Sequence, residues 1–214
     1  MSQIVRDIAK EIIGTNRTIF YVISFVIELV IFFTAVSYPV PSSRLPELQQ
    51  EARNILGYAQ TQSNASLVGL IFANNIKVAL LEMVPVFGIL VFGGVIFETG
   101  QVLQVASSSV NVPATIIGAS LFLFPFAFLE LFSYAVAVVS GNMLVFSALK
   151  GKLVHGVKVY VAELCIVVFL LLVAATMEAI TIFNWAIGLS FWILVLAGIV
   201  LGVLYRSRTR KTFI

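Results

Sequence analysis

The sequence predicts an all-α fold, a polytopic bundle of five to six transmembrane helices. Of its 214 residues, 60% are hydrophobic and only 11% are charged, and the mean hydropathy is +1.08. A soluble domain is typically about 45–50% apolar and about 25% charged. A water-soluble fold of this length could not cover so much apolar surface. The composition therefore predicts an integral membrane protein of the cell membrane.

Scarce residue types exclude most catalytic centres. The chain has one histidine (His155), one cysteine (Cys165) and one Asp (Asp7). These counts exclude a four-cysteine zinc site and an HExxH motif, and they leave little for a His/Asp catalytic pair. We therefore expect no enzyme activity, no metal and no cofactor. The net charge of +3 is typical of basic cytoplasmic loops rather than of nucleic-acid binding.

The chain begins with a mixed segment, residues 1–17. Ile4, Ile8 and Ile12 recur at helical spacing with charged residues between them. This pattern predicts an amphipathic helix on the membrane surface. The acids within the segment are unlike the n-region of a secretory signal peptide.

Residues 18–205 form the predicted transmembrane bundle, because a helix crosses about 30 Å of hydrocarbon with about 20 residues. The predicted spans are 18–37, 66–82, 86–106, 126–149, 159–178 and 185–205. Pro85 follows the short span 66–82, and Pro125 follows an apolar stretch, 113–124, that is too short to cross. A short segment, a proline and a full span thus occur twice. This plan predicts either an internal repeat or two unrelated proline kinks.

The distribution of Lys and Arg predicts the topology. If 66–82 crosses the membrane, the chain has six spans, with ten basic residues in the cytoplasm and two outside. If 66–82 lies in the interface, the chain has five spans, with nine basic residues in the cytoplasm and three outside. The count favours six spans with both termini in the cytoplasm. Both arrangements place the basic loop 150–158 and the basic tail 206–214 in the cytoplasm. Both place 107–113 and 179–184 outside.

Acidic residues concentrate in the apolar segments, where a charge costs several kcal/mol unless it is paired, protonated or hydrated. Six of the ten acids lie in or at the edge of such segments: Glu28, Glu82, Glu98, Glu130, Glu163 and Glu178. Glu28 and Glu130 are the most deeply placed, whereas the others lie nearer the interfaces. The predicted intramembrane polar cluster comprises Glu28, Asn74, Asn75, Lys77, Glu82, Glu98 and Glu130. It forms a proton or ion pathway, a polar binding cavity between helices, or a set of hydrogen bonds that lock the helices together.

Small residues predict close helix packing in three spans. Gly198 and Gly202 form a GxxxG pattern in the last span. The other predicted packing residues are Gly93, Gly94 and Gly141.

Two sequence elements resemble the stage II sporulation protein M family. The first is IFANNIKVALLEMVPVFGILVFGGVIFETG, with Phe72, Asn74, Asn75, Lys77, Gly88, Gly93, Gly94 and Gly100 at the matching positions. The second is FPFAFLELFSYAVAVVSG, with Pro125, Glu130 and Gly141. The family usually has Pro-His-Gly where this chain has Pro-Phe-Ala, so no role of that histidine carries over. The family also often has Asn-Gly where this chain has Thr99-Gly100.

The resemblance implies a membrane scaffold that acts through partner proteins, here as a member of the non-sporulating, archaeal type. We therefore expect a non-enzymatic, oligomeric organising subunit in the lipid bilayer. Its partners would be further copies, other membrane proteins or a cytoplasmic protein at the 150–158 loop. The buried glutamates and proline-broken segments support an alternative, a transporter or the membrane subunit of one.

Overall fold

The computed structural model describes residues 3–61, 63–108, 110 and 112–211, without the side chains of 55–56, 58–61, 199 and 201–211. The described residues form helices and no strand. The helices are α1 (Gln3–Ile12), α2 (Thr15–Ser37), α3 (Leu45–Thr61), α4 (Asn64–Glu82), α5 (Gly88–Ser107), α6 (Ala114–Leu121), α7 (Pro125–Leu149), α8 (Leu153–Phe183) and α9 (Trp185–Lys211). The predicted all-α fold is confirmed.

Five helices are long and apolar enough to cross a membrane: α2, α4, α5, α7 and α8. Their outer faces carry exposed aliphatic side chains, such as Val22, Val26 and Val30 of α2, as a lipid-facing surface requires. Within the described side chains, α9 contributes a shorter apolar stretch, Trp185–Gly198. The chain is therefore a multi-pass helical membrane protein.

The bundle has two ends, which we call the α1 end and the α3 end after the helices that lie there. The α4–α5 turn lies at the α1 end, since Tyr160 near the start of α8 donates a hydrogen bond to the carbonyl of Met83 (3.3 Å). The α3 end holds the opposite ends of the helices, where Gly100 of α5 lies against Ala35 of α2. Helix α4 therefore runs between the two ends of the bundle.

Helix α8 is longer than the predicted span 159–178. It begins at Leu153 and ends at Phe183, so only 150–152 remain of the predicted loop 150–158, and only Asn184 separates α8 from α9. The sequence from 153 to 183 contains no proline. Hydropathy marks where a chain leaves the lipid, whereas the helix continues until its hydrogen bonding is broken. At 1.5 Å per residue α8 is about 46 Å long, more than the hydrocarbon thickness.

The first span also begins earlier than predicted. Helix α2 starts at Thr15, directly after Gly14 ends the preceding turn. Arg17 therefore belongs to the first span and not to the N-terminal amphipathic segment.

The two proline-broken segments differ in structure. Helix α4 has 19 residues, whereas α6 has only eight and cannot cross a membrane. Helix α4 ends before Pro85, and Val86 adopts a φ of +67°, a left-handed conformation that β-branched residues rarely adopt. This compact turn holds Glu82 and Met83 inside the bundle, where both are fully buried.

The buried core lies between the five spans. Phe32 of α2, Phe92 of α5, Val138 of α7 and Leu171 of α8 are among its members. Two peripheral helices are fixed to this core by specific contacts. Helix α3 packs on α5 through a small apolar cluster, and Trp192 of α9 donates a hydrogen bond to the carbonyl of Leu123 (2.8 Å).

The predicted packing glycines fall into two groups. A Cβ on Gly141 would lie 2.4 Å from the carbonyl oxygen of Met83, so this glycine allows α7 to touch the end of α4. Among the described atoms, none lies within 4 Å of a Cβ built on Gly93, Gly94 or Gly198. Gly202 lies outside the part of α9 whose side chains are described.

Replacement of Gly141 with Ala is expected to destabilise the protein by about 1–3 kcal/mol, the usual cost of overpacking a core. The methyl group would meet a backbone atom, which cannot move like a side chain. The same change at Gly94 is the matched control, and we expect no loss there. Thermal unfolding in detergent measures both variants, and equal unfolding temperatures would contradict the close contact between α7 and α4.

Candidate functional site

Three spans bring carboxyl groups together inside the bundle. Glu28 of α2 lies within electrostatic range of Glu82 of α4 and Glu130 of α7. Tyr134, one turn after Glu130, donates a hydrogen bond to its carboxylate (3.1 Å). Asn75 lies seven residues before Glu82, hence on the same face of α4, and is beside Glu130. We call these five residues the carboxyl cluster.

Four of the five residues of this cluster are buried, and Glu130 is partly buried. Glu28 and Glu82 have no exposed surface, and Asn75 is 5% exposed. Within the described part of the chain, neither oxygen of Glu28 or Glu82 has a hydrogen-bond partner, and nor does Nδ2 of Asn75. A charge at this depth is costly unless something compensates it. The surroundings of Glu28 and Glu82 therefore favour the protonated, neutral form of each carboxyl group.

A fourth carboxyl group extends the cluster toward the α3 end. Glu178 of α8 interacts electrostatically with Glu130 and lies five residues before the end of α8. The acids are thus distributed along the depth of the bundle.

Three residues of the predicted polar cluster lie elsewhere. Asn74 and Lys77 are on the exposed side of α4. Glu98 of α5 pairs with Arg44 (2.7 Å), and both side chains are more than a third exposed. The structure therefore brings together Glu28, Asn75, Glu82 and Glu130 of the predicted set.

A second polar cluster surrounds Glu163, which has no exposed surface. The guanidinium of Arg17 and the hydroxyl of Tyr21 both donate to one oxygen of Glu163. Ser140 of α7 donates to the other oxygen (2.6 Å). This ion-pair cluster joins α2, α7 and α8, and its carboxylate is fully satisfied.

The ion-pair cluster continues to the surface through Glu11 of α1. Glu11 accepts a hydrogen bond from Arg17 (3.2 Å) and contacts His155 (2.5 Å). Partial burial raises the pKa of Glu11, but the hydrogen bond with His155 and the charge of Arg17 outweigh it, so the pKa lies below its usual range. Glu11 is therefore ionised at neutral pH and holds α1 on the bundle.

The sequence indicates part of the ion-pair cluster, the residues on α2, but does not identify Glu163 as their partner. Arg17, Tyr21 and Glu28 occur at spacings of four and seven residues, which places them on one face of a helix. The predicted start of the fifth span at 159 placed Glu163 near the interface. Because α8 begins at Leu153, Glu163 lies almost three turns inside the helix.

No group of three or more His, Cys, Asp or Glu side chains within the described residues is arranged to hold a metal ion. No protein-family model matches the chain, and no curated protein or solved structure is significantly similar to it. Any function must therefore be argued from the two clusters themselves.

Proposed function

We propose that this chain is a proton-translocating membrane transport protein, or the membrane subunit of one, in which the carboxyl cluster takes up and releases protons. The observation that carries this proposal is the complete burial of Glu28 and Glu82 without a hydrogen-bond partner for their oxygens among the described residues. Intramembrane acids of this kind mark proton and ion pathways. This function is non-enzymatic and needs no cofactor.

A comparison with Glu163, another buried glutamate of this protein, supports the proposal. Glu163 is equally buried, yet Arg17, Tyr21 and Ser140 satisfy its carboxylate. A carboxylate retained for structure alone is expected to be satisfied in this way. The different environment of Glu28 and Glu82 favours a role that needs an exchangeable proton.

The spacing of the acids along the bundle supports passage across the membrane. Glu82 ends α4 near the α1 end, whereas Glu178 lies five residues before the end of α8 at the α3 end. Glu130 interacts with Glu178, and Glu28 interacts with Glu130. Protonatable groups therefore occur at successive depths, with Glu11 at the α1 end.

Purified protein in liposomes tests the proposal. With a pH-sensitive dye inside and a potassium diffusion potential across the membrane, we expect proton entry faster than in protein-free liposomes. Glu82→Gln should reduce the rate to that of protein-free liposomes, because an amide cannot exchange a proton at neutral pH. Glu98→Gln is the matched control and should keep the wild-type rate. Equal rates in wild-type and protein-free liposomes would contradict the proposal.

The topology that we propose places the α1 end in the cytoplasm of the cell. In the six-span arrangement Arg6, Lys10, Lys150, Lys152 and the basic tail then lie in the cytoplasm, and Arg44 and Arg53 lie outside. The segment 150–152 and the first turn of α8 would be the cytoplasmic surface offered to a partner.

A membrane-organising scaffold is the second candidate, and the outward glycines favour it. Gly93, Gly94 and Gly198 have open space beside them in the described structure, so they are available for helices of another copy or another membrane protein. The resemblance to the sporulation family suggests the same role. Partners that copurify in mild detergent, together with proton entry unaffected by Glu82→Gln, would favour the scaffold over transport.

A further inference from the structure

An open cavity of about 620 Å³ lies at the α1 end, where α2 begins and where α7 and α8 meet. It is separate from the carboxyl cluster. Four of its lining residues are basic: Arg17, Lys150, Lys152 and His155. Glu11 is the acid that lines it. We call this space the basic cavity.

The charges of the basic cavity leave a positive excess. Arg17 is paired with Glu163 and Glu11, and His155 contacts Glu11. Lys150 and Lys152 are exposed, and neither forms an ion pair with any acid among the described residues. Two lysines therefore line the cavity without an ion-pair partner among the described residues.

The backbone adds donors on the same side. Gly14 and Thr15, at the start of α2, line the cavity, and Gly14 provides no side-chain cap for this helix. The first N–H groups of a helix have no partner within it and attract anions. Lysines and these N–H groups together match the oxygens of a phosphate group.

Apolar residues complete the wall. Met143 and Phe146 of α7 line the cavity, and Phe146 and Leu149 are 55% and 78% exposed on the outer surface of α7. A ligand with a phosphate group and an attached hydrocarbon part fits this combination of basic and apolar walls. We propose that the basic cavity binds the phosphate headgroup of an anionic glycerophospholipid, whose chains lie along the outer face of α7.

The ligand would bind next to the ion-pair cluster, because Arg17 belongs to both. Bound lipid would bridge α2 and the α7–α8 turn through Lys150 and Lys152. We therefore expect binding to stabilise the α1 end of the bundle.

Thermal unfolding of the full chain in detergent, with added phosphatidylglycerol, phosphatidylcholine or inorganic phosphate, tests this inference. Phosphatidylglycerol should raise the unfolding temperature more than phosphatidylcholine at the same concentration. In the double variant Lys150→Gln/Lys152→Gln, half-maximal stabilisation should need about 30-fold more phosphatidylglycerol, since each of the two lysines near an anionic headgroup contributes about 1 kcal/mol.

The matched control is Lys10→Gln/Lys158→Gln, which removes the same charge from exposed positions outside the cavity lining. It should respond to phosphatidylglycerol like the wild type. If the control variant lost the response to phosphatidylglycerol to the same extent, the stabilisation would come from general surface charge and the proposed site would be wrong. If inorganic phosphate raised the unfolding temperature as much as phosphatidylglycerol does, the ligand would be a soluble phosphate compound and not a lipid. Failure of proton entry in liposomes would leave this inference standing, because it depends on different residues.

Discussion

Replacement of Glu28 with Met is expected to raise the unfolding temperature of the protein and to abolish proton entry into liposomes. Met has a similar length and no charge, and it removes a carboxyl that is fully buried and lacks a hydrogen-bond partner among the described residues. An unsatisfied buried polar group costs about 1–3 kcal/mol. Gain of stability with loss of function is typical of residues kept for activity.

The control for this prediction is the same substitution at Glu98. Glu98 is 43% exposed and pairs with Arg44, and such exposed pairs contribute about 0–1 kcal/mol. We expect Glu98→Met to leave proton entry unchanged and stability the same or slightly lower. If Glu28→Met lowers the unfolding temperature, the Glu28 carboxyl group has a stabilising partner, and its proposed role as an unsatisfied group kept for proton exchange is wrong.

Breaking the ion pair between Arg17 and Glu163 is expected to have the largest destabilising effect. Glu163→Leu leaves the guanidinium of Arg17, whose side chain is 7% exposed, without its buried partner. Removal of one member of a buried pair costs about 3–5 kcal/mol. Unfolding in detergent, followed through the fluorescence of Trp185 and Trp192, measures this loss.

The double variant Arg17→Met/Glu163→Leu separates charge from packing. Removal of both members of a buried pair is often tolerated, so we expect it to recover most of the stability lost in Glu163→Leu. The exposed pair provides the comparison, since Glu98→Leu should cost about 1 kcal/mol or less. A loss in Glu163→Leu no larger than in Glu98→Leu would show that the pair does not hold the helices together.

Apolar length and proline positions were sufficient to predict the architecture. The predicted span 18–37 lies within α2, and 86–106 corresponds to α5 with a difference of one or two residues. These signals depend on local composition. The extent of α8 was missed at both ends, because helical hydrogen bonding continues beyond the lipid where hydropathy has already fallen.

The candidate site was predictable only in part. Depth within a span identified Glu28 and Glu130, and these two do lie together. Which face of a helix points inward depends on tertiary packing, which is why Lys77 and Asn75, two residues apart, lie on different sides of α4. The partnership of Arg17 with Glu163 joins residues 146 positions apart, and no local pattern specifies it.

Infrared spectroscopy of the protein in membranes tests the central claim most directly, because a protonated carboxyl has a carbonyl stretch that a carboxylate lacks. We expect this band in the wild-type protein at neutral pH. Its intensity should fall in Glu28→Gln and in Glu82→Gln and should be unchanged in Glu98→Gln. A spectrum without the band, or one that neither of the first two substitutions alters, would contradict the claim that the carboxyl cluster holds protons inside the bundle.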